Sequence, residues 1–378
     1  MTKTIQKFLS FSVLIFSSSF AAAAQDTLDY GLYWFDENNT SVKAIEQDGT
    51  VNNVSLNYFD PTKPTIIHFH GWQNGSSQNN YSREDFLFDY NGENVITSAS
   101  WKARDWNIAY FYWNQLADEA EVKDAEAKIW TPNGPRGMRY RLNDGSYSTA
   151  LSPNQSVSDI AFEQITSVLS GSTSYYVRLS GHSLGSQLAT NVTKKISDAV
   201  YNGTVGNNLT VDRLELLDPF WSADPKSYLG DANGDGNTDW VGEHARWDIQ
   251  TLIDRHNLPV TWYKSSGILD IWIGDRNTVL EGMVTFIHNR FWYLSGPDFV
   301  NKHNHVVPWY FRSMASNAPE EVTITWWGAR RTTGKLAASA RTSDSRIQEM
   351  MGDRYHWDQV EGRYTTDPSD DQFERKNY

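Results

Sequence analysis

A serine lies between two glycines in residues 181–185, which read Gly-His-Ser-Leu-Gly. This spacing is typical of a nucleophilic serine when a strand precedes it and a helix follows it. A short apolar run precedes the stretch, and residues 187–196 have helix-forming composition. We therefore predict a strand, a sharp turn and a helix, with Ser183 held in strained backbone geometry on the turn. The alternative is an ordinary glycine-rich turn with a bystander serine.

A serine hydroxyl needs an adjacent base, and the base needs a carboxylate that fixes its tautomer. Asp218 follows the strand predicted for residues 211–217 and precedes Pro219, which stops that strand. Its place at the carboxyl end of a strand predicts that Asp218 is the acid. For the base we choose His305, because it adjoins an aromatic segment predicted to form the last helix; His303 is the main alternative.

Two backbone N–H groups are needed to stabilise the negative charge that develops when a serine attacks a carbonyl. One is assigned to Leu184, the residue after the nucleophile. The second is assigned to Trp72, in the His-Gly-Trp turn that ends an early predicted strand. Taken alone, that turn is also consistent with a plain strand end.

The segments that must position these residues alternate between strand and helix patterns. Strands are predicted at residues 64–72, 106–113, 211–217 and 260–263, and helices at residues 116–130, 159–169 and 187–196. Such alternation predicts a mostly parallel central sheet with helices on both faces. Reactive loops then lie at the carboxyl ends of the strands.

Four sequence blocks together resemble the pancreatic lipase and lipoprotein lipase family. The blocks are His70-Gly71-Trp72, the Gly-His-Ser-Leu-Gly of residues 181–185, Leu217-Asp218-Pro219 and Asn304-His305, in the family's order and approximate spacing across residues 65–313. The resemblance implies the α/β-hydrolase fold and the hydrolysis of acylglycerol or phospholipid esters. It implies Ser183, Asp218 and His305 as the catalytic triad. The amides of Trp72 and Leu184 would then form the oxyanion hole, with no cofactor required.

The chain also departs from this family. It has no cysteine and no second, β-sandwich domain, Gln187 stands where the family usually has histidine, and Phe220 where it usually has alanine. The resemblance therefore implies hydrolase chemistry without fixing the substrate or a protein partner. An esterase for soluble or polysaccharide-linked acyl groups and a catalytically silent binding protein are the alternatives.

Members of the family place a lid between the acid and the histidine. Residues 271–294 are rich in apolar and aromatic side chains interrupted by a few charges, which suits an amphipathic flap that opens on an apolar surface. An ordinary core helix followed by a strand is the alternative.

An acidic loop at residues 231–239 indicates a calcium site. Oxygen-bearing side chains alternate there, and a glycine occupies the sixth position, as in the first half of an EF-hand loop. The predicted ligands are Asp231, Asn233, Asp235, Asn237 and Asp239. The twelfth position is a glycine in place of the bidentate glutamate. The ion would be structural, because hydrolysis by a triad leaves it no chemical task, and a polar turn loop is the alternative.

The N-terminus has the pattern of a secretory leader. Two lysines, a short apolar run and an Ala-Ala-Ala cleavage site predict a signal peptide over residues 1–24. We therefore expect a secreted, extracellular protein, with a periplasmic location also possible. The absence of cysteine excludes disulfide-linked partners and thiolate metal sites.

Composition and charge limit the partners of the 378-residue chain. A formal net charge of −13 argues against nucleic acid as a partner. The expected partners are those that the lipase resemblance implies, an ester or lipid substrate and a lipid–water interface. We predict a catalytic domain over residues 25–330. The charged and polar residues 331–378 are too few for a second domain and are predicted to form a partly ordered C-terminal tail.

Overall fold

The protein is described from a computed structural model. The structure describes residues 27–378 apart from residues 47, 233 and 271–272. The predicted signal peptide and the candidate calcium ligand Asn233 lie outside the described residues, so these predictions stay predictions.

One large sheet forms the centre of the described chain, and two small hairpins lie outside it. The sheet contains twelve strands in the order β14-β13-β16-β15-β12-β11-β10-β9-β3-β6-β1-β2. The strands are β1 (Gly31–Phe35), β2 (Ser41–Lys43), β3 (Thr65–Phe69), β4 (Leu87–Tyr90), β5 (Glu93–Ile96), β6 (Asn107–Tyr112), β7 (Tyr140–Arg141), β8 (Tyr147–Ser148), β9 (Val177–His182), β10 (Val211–Leu217), β11 (Val260–Lys264), β12 (Thr285–His288), β13 (Glu320–Ile324), β14 (Arg330–Leu336), β15 (Tyr355–Glu361) and β16 (Gln372–Asn377). The strands from β15 to β6 in this order pair in parallel. Beyond β6 the pairs are antiparallel, and beyond β15 an antiparallel, a parallel and an antiparallel pair follow in turn.

Helices cover both faces of this sheet, as predicted. They are α1 (Ser98–Lys102), α2 (Asn114–Ala117), α3 (Val122–Trp130), α4 (Val157–Leu169), α5 (Leu184–Tyr201), α6 (Val241–His256), α7 (Thr278–Glu281), α8 (Phe299–Arg312) and α9 (Asp344–Met350). Successive strand residues point to opposite faces, so Ile66 packs with α8 and α9 in one core while Ile67 packs with α4, α5 and α6 in the other. Strands buried on both faces explain the continuous apolar runs in the sequence.

The crossover pattern marks one place on the sheet as a ligand site. The chain passes from β3 to β6 on one side of β3 and then returns to β9 on its other side. In open parallel sheets, the crevice at such a reversal, outside the carboxyl ends of the strands, is where ligands bind. The predicted nucleophile follows β9 and the predicted oxyanion turn follows β3, so both lie at this point.

The predicted C-terminal tail is wrong, because residues 331–378 belong to the central sheet. They supply β14, β15 and β16, and β15 pairs in parallel with β12. Arg213, buried in β10, donates to the carbonyls of Ser339 at 2.9 Å and Thr342 at 2.6 Å, which fixes this segment against the core. The charged composition misled the prediction, since β14 is an edge strand with mostly exposed side chains.

The predicted lid over residues 271–294 is wrong for residues 285–288, which form a strand of the central sheet. The segment contains α7 and then β12, which lies between β11 and β15 with Phe286 and Ile287 buried. A strand inside the sheet cannot open as a flap without breaking the sheet. A helix followed by a strand, the alternative interpretation, matches the structure.

Among the described residues, no helix has the length and apolar character needed to cross a membrane.

Candidate active site

The turn that carries Ser183 has the predicted geometry. Strand β9 ends at His182, helix α5 begins at Leu184, and Ser183 between them has φ 55° and ψ −123°. Positive φ is uncommon for a residue with a side chain and persists only where the surrounding structure imposes it. The Ser183 N–H donates to the Leu217 carbonyl at 3.1 Å, which ties the turn to β10.

The two glycines of this turn are required by the packing. A Cβ at position 181 would lie 2.1 Å from the carbonyl oxygen of Gly185, and a Cβ at position 185 would lie 2.0 Å from that of Phe69. Both distances are far below contact range, and the atoms they meet are backbone atoms that cannot move aside. A strained serine on a strand-to-helix turn at the top of a mostly parallel sheet confirms the predicted α/β-hydrolase fold.

Asp218 directly follows β10, and its carboxylate is held by several donors. Its backbone φ is 39°, and its Oδ1 accepts N–H hydrogen bonds from Ser265 at 2.9 Å and Ser266 at 3.4 Å. Its Oδ2 accepts from the Ser266 hydroxyl and lies 2.7 Å from Nδ1 of His303. The carboxylate is buried, and its orientation toward His303 is fixed by these contacts.

The structure brings His303 to Asp218, and the choice of His305 is therefore wrong. Both histidines lie on α8, but Nδ1 of His305 donates to the Asn301 carbonyl at 2.7 Å. The His305 ring packs edge-on against Tyr90 with centroids 4.9 Å apart, and burial lowers its pKa. Residues two apart on a helix are about 200° apart around its axis, so only one of the two can face Asp218.

His182 contacts His303 and was missed by the sequence analysis. Its Nε2 donates to the backbone carbonyl of His303 at 3.0 Å, and the two ring centroids are 4.4 Å apart. Burial, followed by the nearby His303, lowers the pKa of His182 well below its ordinary value, so its ring is neutral. His182 is thus a positioning residue that fixes the backbone and ring of His303 from the turn that carries Ser183.

The His-Gly-Trp turn lies against the serine. A Cβ at Gly71 would fall 2.7 Å from the Ser183 Cβ and 3.3 Å from its hydroxyl oxygen, so the adjacent Trp72 amide is close to the nucleophile. Within the described chain, the N–H groups of Trp72 and Leu184 have no hydrogen-bond acceptor. Both predicted oxyanion donors therefore lie beside Ser183 with their N–H groups free.

A buried histidine fixes this turn. Nε2 of His70 accepts the Trp113 N–H at 3.0 Å, so Nδ1 carries the proton and donates to the Gly71 carbonyl at 2.9 Å. Burial lowers the pKa of His70 to about 3, which keeps the ring neutral and the tautomer constant. Because N–H and C=O point in opposite directions across a trans peptide, holding the Gly71 carbonyl also orients the Trp72 N–H.

Ser183 and His303 open into one cavity of about 110 Å³. One part of its wall is apolar and consists of Trp72, Val122, Phe220, Ile268, Ile273 and Val300. Another part is polar and includes Asn74 and Glu84. Burial raises the pKa of Glu84, while the hydrogen bond from Gln73 opposes this rise.

The acidic loop does not form a recognisable metal cluster in the described part of the chain. The Asp231 carboxylate accepts three backbone N–H bonds from its own loop at 2.7–3.1 Å. Asp239 is buried, with its Oδ2 3.1 Å from Nδ1 of His244. Among the described residues, no three His, Cys, Asp or Glu side chains lie where they could hold a metal ion. The structural calcium site stays a prediction.

Comparisons with known proteins give distant similarities. No family sequence model and no curated protein sequence matches the chain. Among solved structures, a poly(3-hydroxybutyrate) depolymerase from Bordetella parapertussis is 12% identical, with a TM-score of 0.30, over 59% of this chain and 64% of that chain. The thioesterase domain from the curacin biosynthetic pathway is 12% identical, with a TM-score of 0.26, over 65% and 82%. An acylaminoacyl peptidase from Pyrococcus horikoshii is 9% identical, with a TM-score of 0.26, over 62% and 31%.

The matched region thus spans less than two thirds of the depolymerase and peptidase chains. At these identities and TM-scores, the similarities identify neither a family nor an activity. The fold assignment rests on the sheet and on the turn that carries Ser183.

Proposed function

We propose that the protein is a serine hydrolase that cleaves carboxylic esters. The observation that carries this proposal is the convergence of Ser183 and His303 on one cavity, with Nδ1 of His303 2.7 Å from the buried Asp218 carboxylate. A nucleophile, a base and an acid that orients the base are the parts that acyl transfer through a serine requires.

The mechanism follows from the hydrogen bonds. Because the Asp218 carboxylate is an acceptor, Nδ1 of His303 carries the proton and Nε2 is free to act as the base. His303 removes the proton from the Ser183 hydroxyl as the oxygen attacks the ester carbonyl, and it then protonates the leaving alcohol. The Trp72 and Leu184 amides stabilise the oxyanion. Water then hydrolyses the acyl-enzyme by the same route.

The size of the cavity favours a small, soluble ester. A volume of about 110 Å³ is well below the ~300–1,000 Å³ typical of pockets for drug-sized ligands. Such a space accommodates a short acyl or alcohol group. We therefore place short-chain esters first among the substrates.

Lipid esters are the second candidate. The apolar part of the cavity wall suits an acyl chain, and the resemblance to pancreatic lipases suggests an acylglycerol or phospholipid. Turnover at a lipid–water interface would require the cavity to widen at its mouth. The two candidates differ in whether the rate rises once the substrate forms an emulsion.

The test measures hydrolysis of p-nitrophenyl butyrate and of emulsified long-chain triacylglycerol by the chain without residues 1–24, beside Ser183→Ala. We expect turnover of the butyrate that disappears in the variant. Turnover of the emulsion as well would add lipase activity. Butyrate turnover that persists in Ser183→Ala, or no turnover of either substrate, would overturn the proposal.

A further inference from the structure

Glu84 is a carboxyl group in the cavity that the triad mechanism does not use. It lines the cavity together with Ser183 and His303, whereas the acid that orients His303 is Asp218. Burial disfavours the charged form of a carboxyl group. Placing such a group beside a reacting serine therefore costs free energy unless it forms a hydrogen bond or binds a ligand.

The loop that carries Glu84 is firmly anchored. The Tyr112 hydroxyl donates to the Glu84 carbonyl at 2.6 Å. The neighbouring Arg83 binds the Asp29 carboxylate at 2.5 Å, and its guanidinium lies 4.6 Å from the centroid of the Tyr112 ring. The Arg83 guanidinium therefore pairs with Asp29, and it does not pair with the neighbouring Glu84 carboxyl group.

Only one of the two oxygens of the Glu84 carboxyl group has a hydrogen-bond partner among the described residues. Its Oε1 accepts from the side-chain nitrogen of the buried Gln73 at 2.6 Å. Its Oε2 has no hydrogen-bond partner within the part of the chain that the structure describes. One oxygen thus fixes the orientation of the side chain, and the other is available to a ligand in the cavity.

The chemistry of the proposed reaction determines which half of a substrate reaches Glu84. His303 must protonate the leaving alcohol, so the alcohol half of the ester lies next to the His303 ring. Glu84 and His303 line the same cavity, and we place the carboxyl group on this side of the site. The alcohol half therefore meets Glu84, and the acyl half meets the apolar wall.

We propose that Glu84 selects esters whose alcohol half is a polyol with at least one free hydroxyl next to the ester bond. This inference rests on the proposed function and specifies its substrate class. A hydroxyl donates to the free Oε2 whether Glu84 is ionised or protonated. A phosphate-bearing alcohol is disfavoured, because its charge repels the carboxylate.

The test compares glycerol monobutyrate with propyl butyrate, which share the acyl group and differ in the hydroxyls of the alcohol. In the wild type we expect kcat/KM to favour the glycerol ester, by about tenfold or more for a hydrogen bond to a charged group. Glu84→Leu, which removes both oxygens, should abolish this preference, and Glu84→Gln, whose amide keeps one acceptor oxygen but no charge, should weaken it less. Glu121→Gln, which changes an exposed carboxylate that pairs with Lys123, keeps the wild-type ratio.

An unchanged ratio in both folded Glu84 variants, checked by circular dichroism, would overturn the inference while leaving the ester hydrolase intact. A wild-type preference for butyrylcholine over the glycerol ester that Glu84→Gln removes would also overturn it, since Glu84 would then bind a cation. Failure of the wild type to hydrolyse any of these esters would instead refute the proposed function.

Discussion

The turn after β9 and helix α8 supply the two reacting groups of the site, and they are specified in different ways. The turn is determined by backbone sterics, because the glycines on either side of Ser183 leave no room for a Cβ. Helix α8 carries His303 and His305, and only its rotation about its own axis decides which of them meets Asp218. A local constraint can be seen in the residue types, whereas a helix orientation depends on everything that packs against it.

The largest expected effect is the difference in kcat/KM between two variants of α8, one lacking His303 and the other lacking His305. His303→Ala should lower kcat/KM for p-nitrophenyl butyrate by about 10⁴-fold or more, since the serine loses its base. His305→Ala should keep kcat/KM close to the wild-type value, because His305 contacts Asn301 and aromatic rings away from Asp218. Steady-state kinetics on both purified variants checks this. A large loss in His305→Ala with activity retained in His303→Ala would reverse the assignment.

Asp218→Asn tests the next link of the triad. Asparagine tolerates the positive φ of this position, so the fold should survive while the tautomer of His303 is no longer fixed. We expect a loss of about 10⁴-fold in kcat. Asp224→Asn is the control, because Asp224 also has a positive φ and is exposed. Equal activity of the two variants would show that the acid lies elsewhere.

Much of this site could be predicted from the sequence. The strand, the turn and the helix around Ser183 follow from residues 181–196, and Asp218 follows from a strand that a proline stops. The histidine chosen from the sequence as the base is wrong, because nearness to the aromatic segment does not show which side of the helix faces Asp218. A helical signal was present: positions 303, 306, 307 and 310 are all buried and have the i, i+3, i+4, i+7 spacing of one helix face.

The difference between local and long-range specification also explains the error in the C-terminal segment. Its residues are mostly polar because β14 is at the edge of the sheet, yet Trp357 and Phe373 are buried in the core. One buried aromatic residue in each of β15 and β16 is enough to anchor that strand, because the strands join a sheet that is already large. These strands are stabilised by pairing with strands that are distant in the sequence, such as β12, and the sequence of the segment alone does not show that pairing.

Gly185→Ala tests the turn through stability. Its new Cβ would meet the Phe69 carbonyl oxygen at 2.0 Å, so we expect a loss of about 3 kcal/mol or more in the free energy of unfolding, at the upper end for overpacking. Urea denaturation followed by tryptophan fluorescence measures it. Gly171→Ala is the matched control, since a Cβ there meets no atom within 4 Å. Equal stability of both variants would mean that the turn is not sterically determined.

The smallest expected effect is on the pH dependence of the free energy of unfolding, and it comes from the buried His68 on β3. Burial lowers the pKa of His68 to about 3, so the folded protein keeps it neutral while the unfolded chain binds a proton below pH ~6.5. The unfolded state then holds more protons between these values, and the free energy of unfolding falls as pH drops from 6.5 toward 3.

His68→Phe removes this contribution while preserving the ring that packs edge-on against Tyr110 and Phe311. The variant leaves the Ser180 hydroxyl without the His68 ring, a cost that does not change with pH. Relative to the wild type, the variant should gain about 2 kcal/mol between pH 8 and pH 5. Urea titrations at both pH values measure this difference. A stability difference that stays constant would mean that His68 is protonated in the folded protein.

The most direct test of the triad of Ser183, Asp218 and His303 is covalent labelling with a fluorophosphonate, followed by mass spectrometry of the peptides. We predict a single adduct on Ser183, formed at the wild-type rate in His305→Ala and at least about 10³-fold more slowly in His303→Ala, because the hydroxyl then lacks its base. An adduct on another residue, or labelling of His303→Ala as fast as the wild type, would contradict the account.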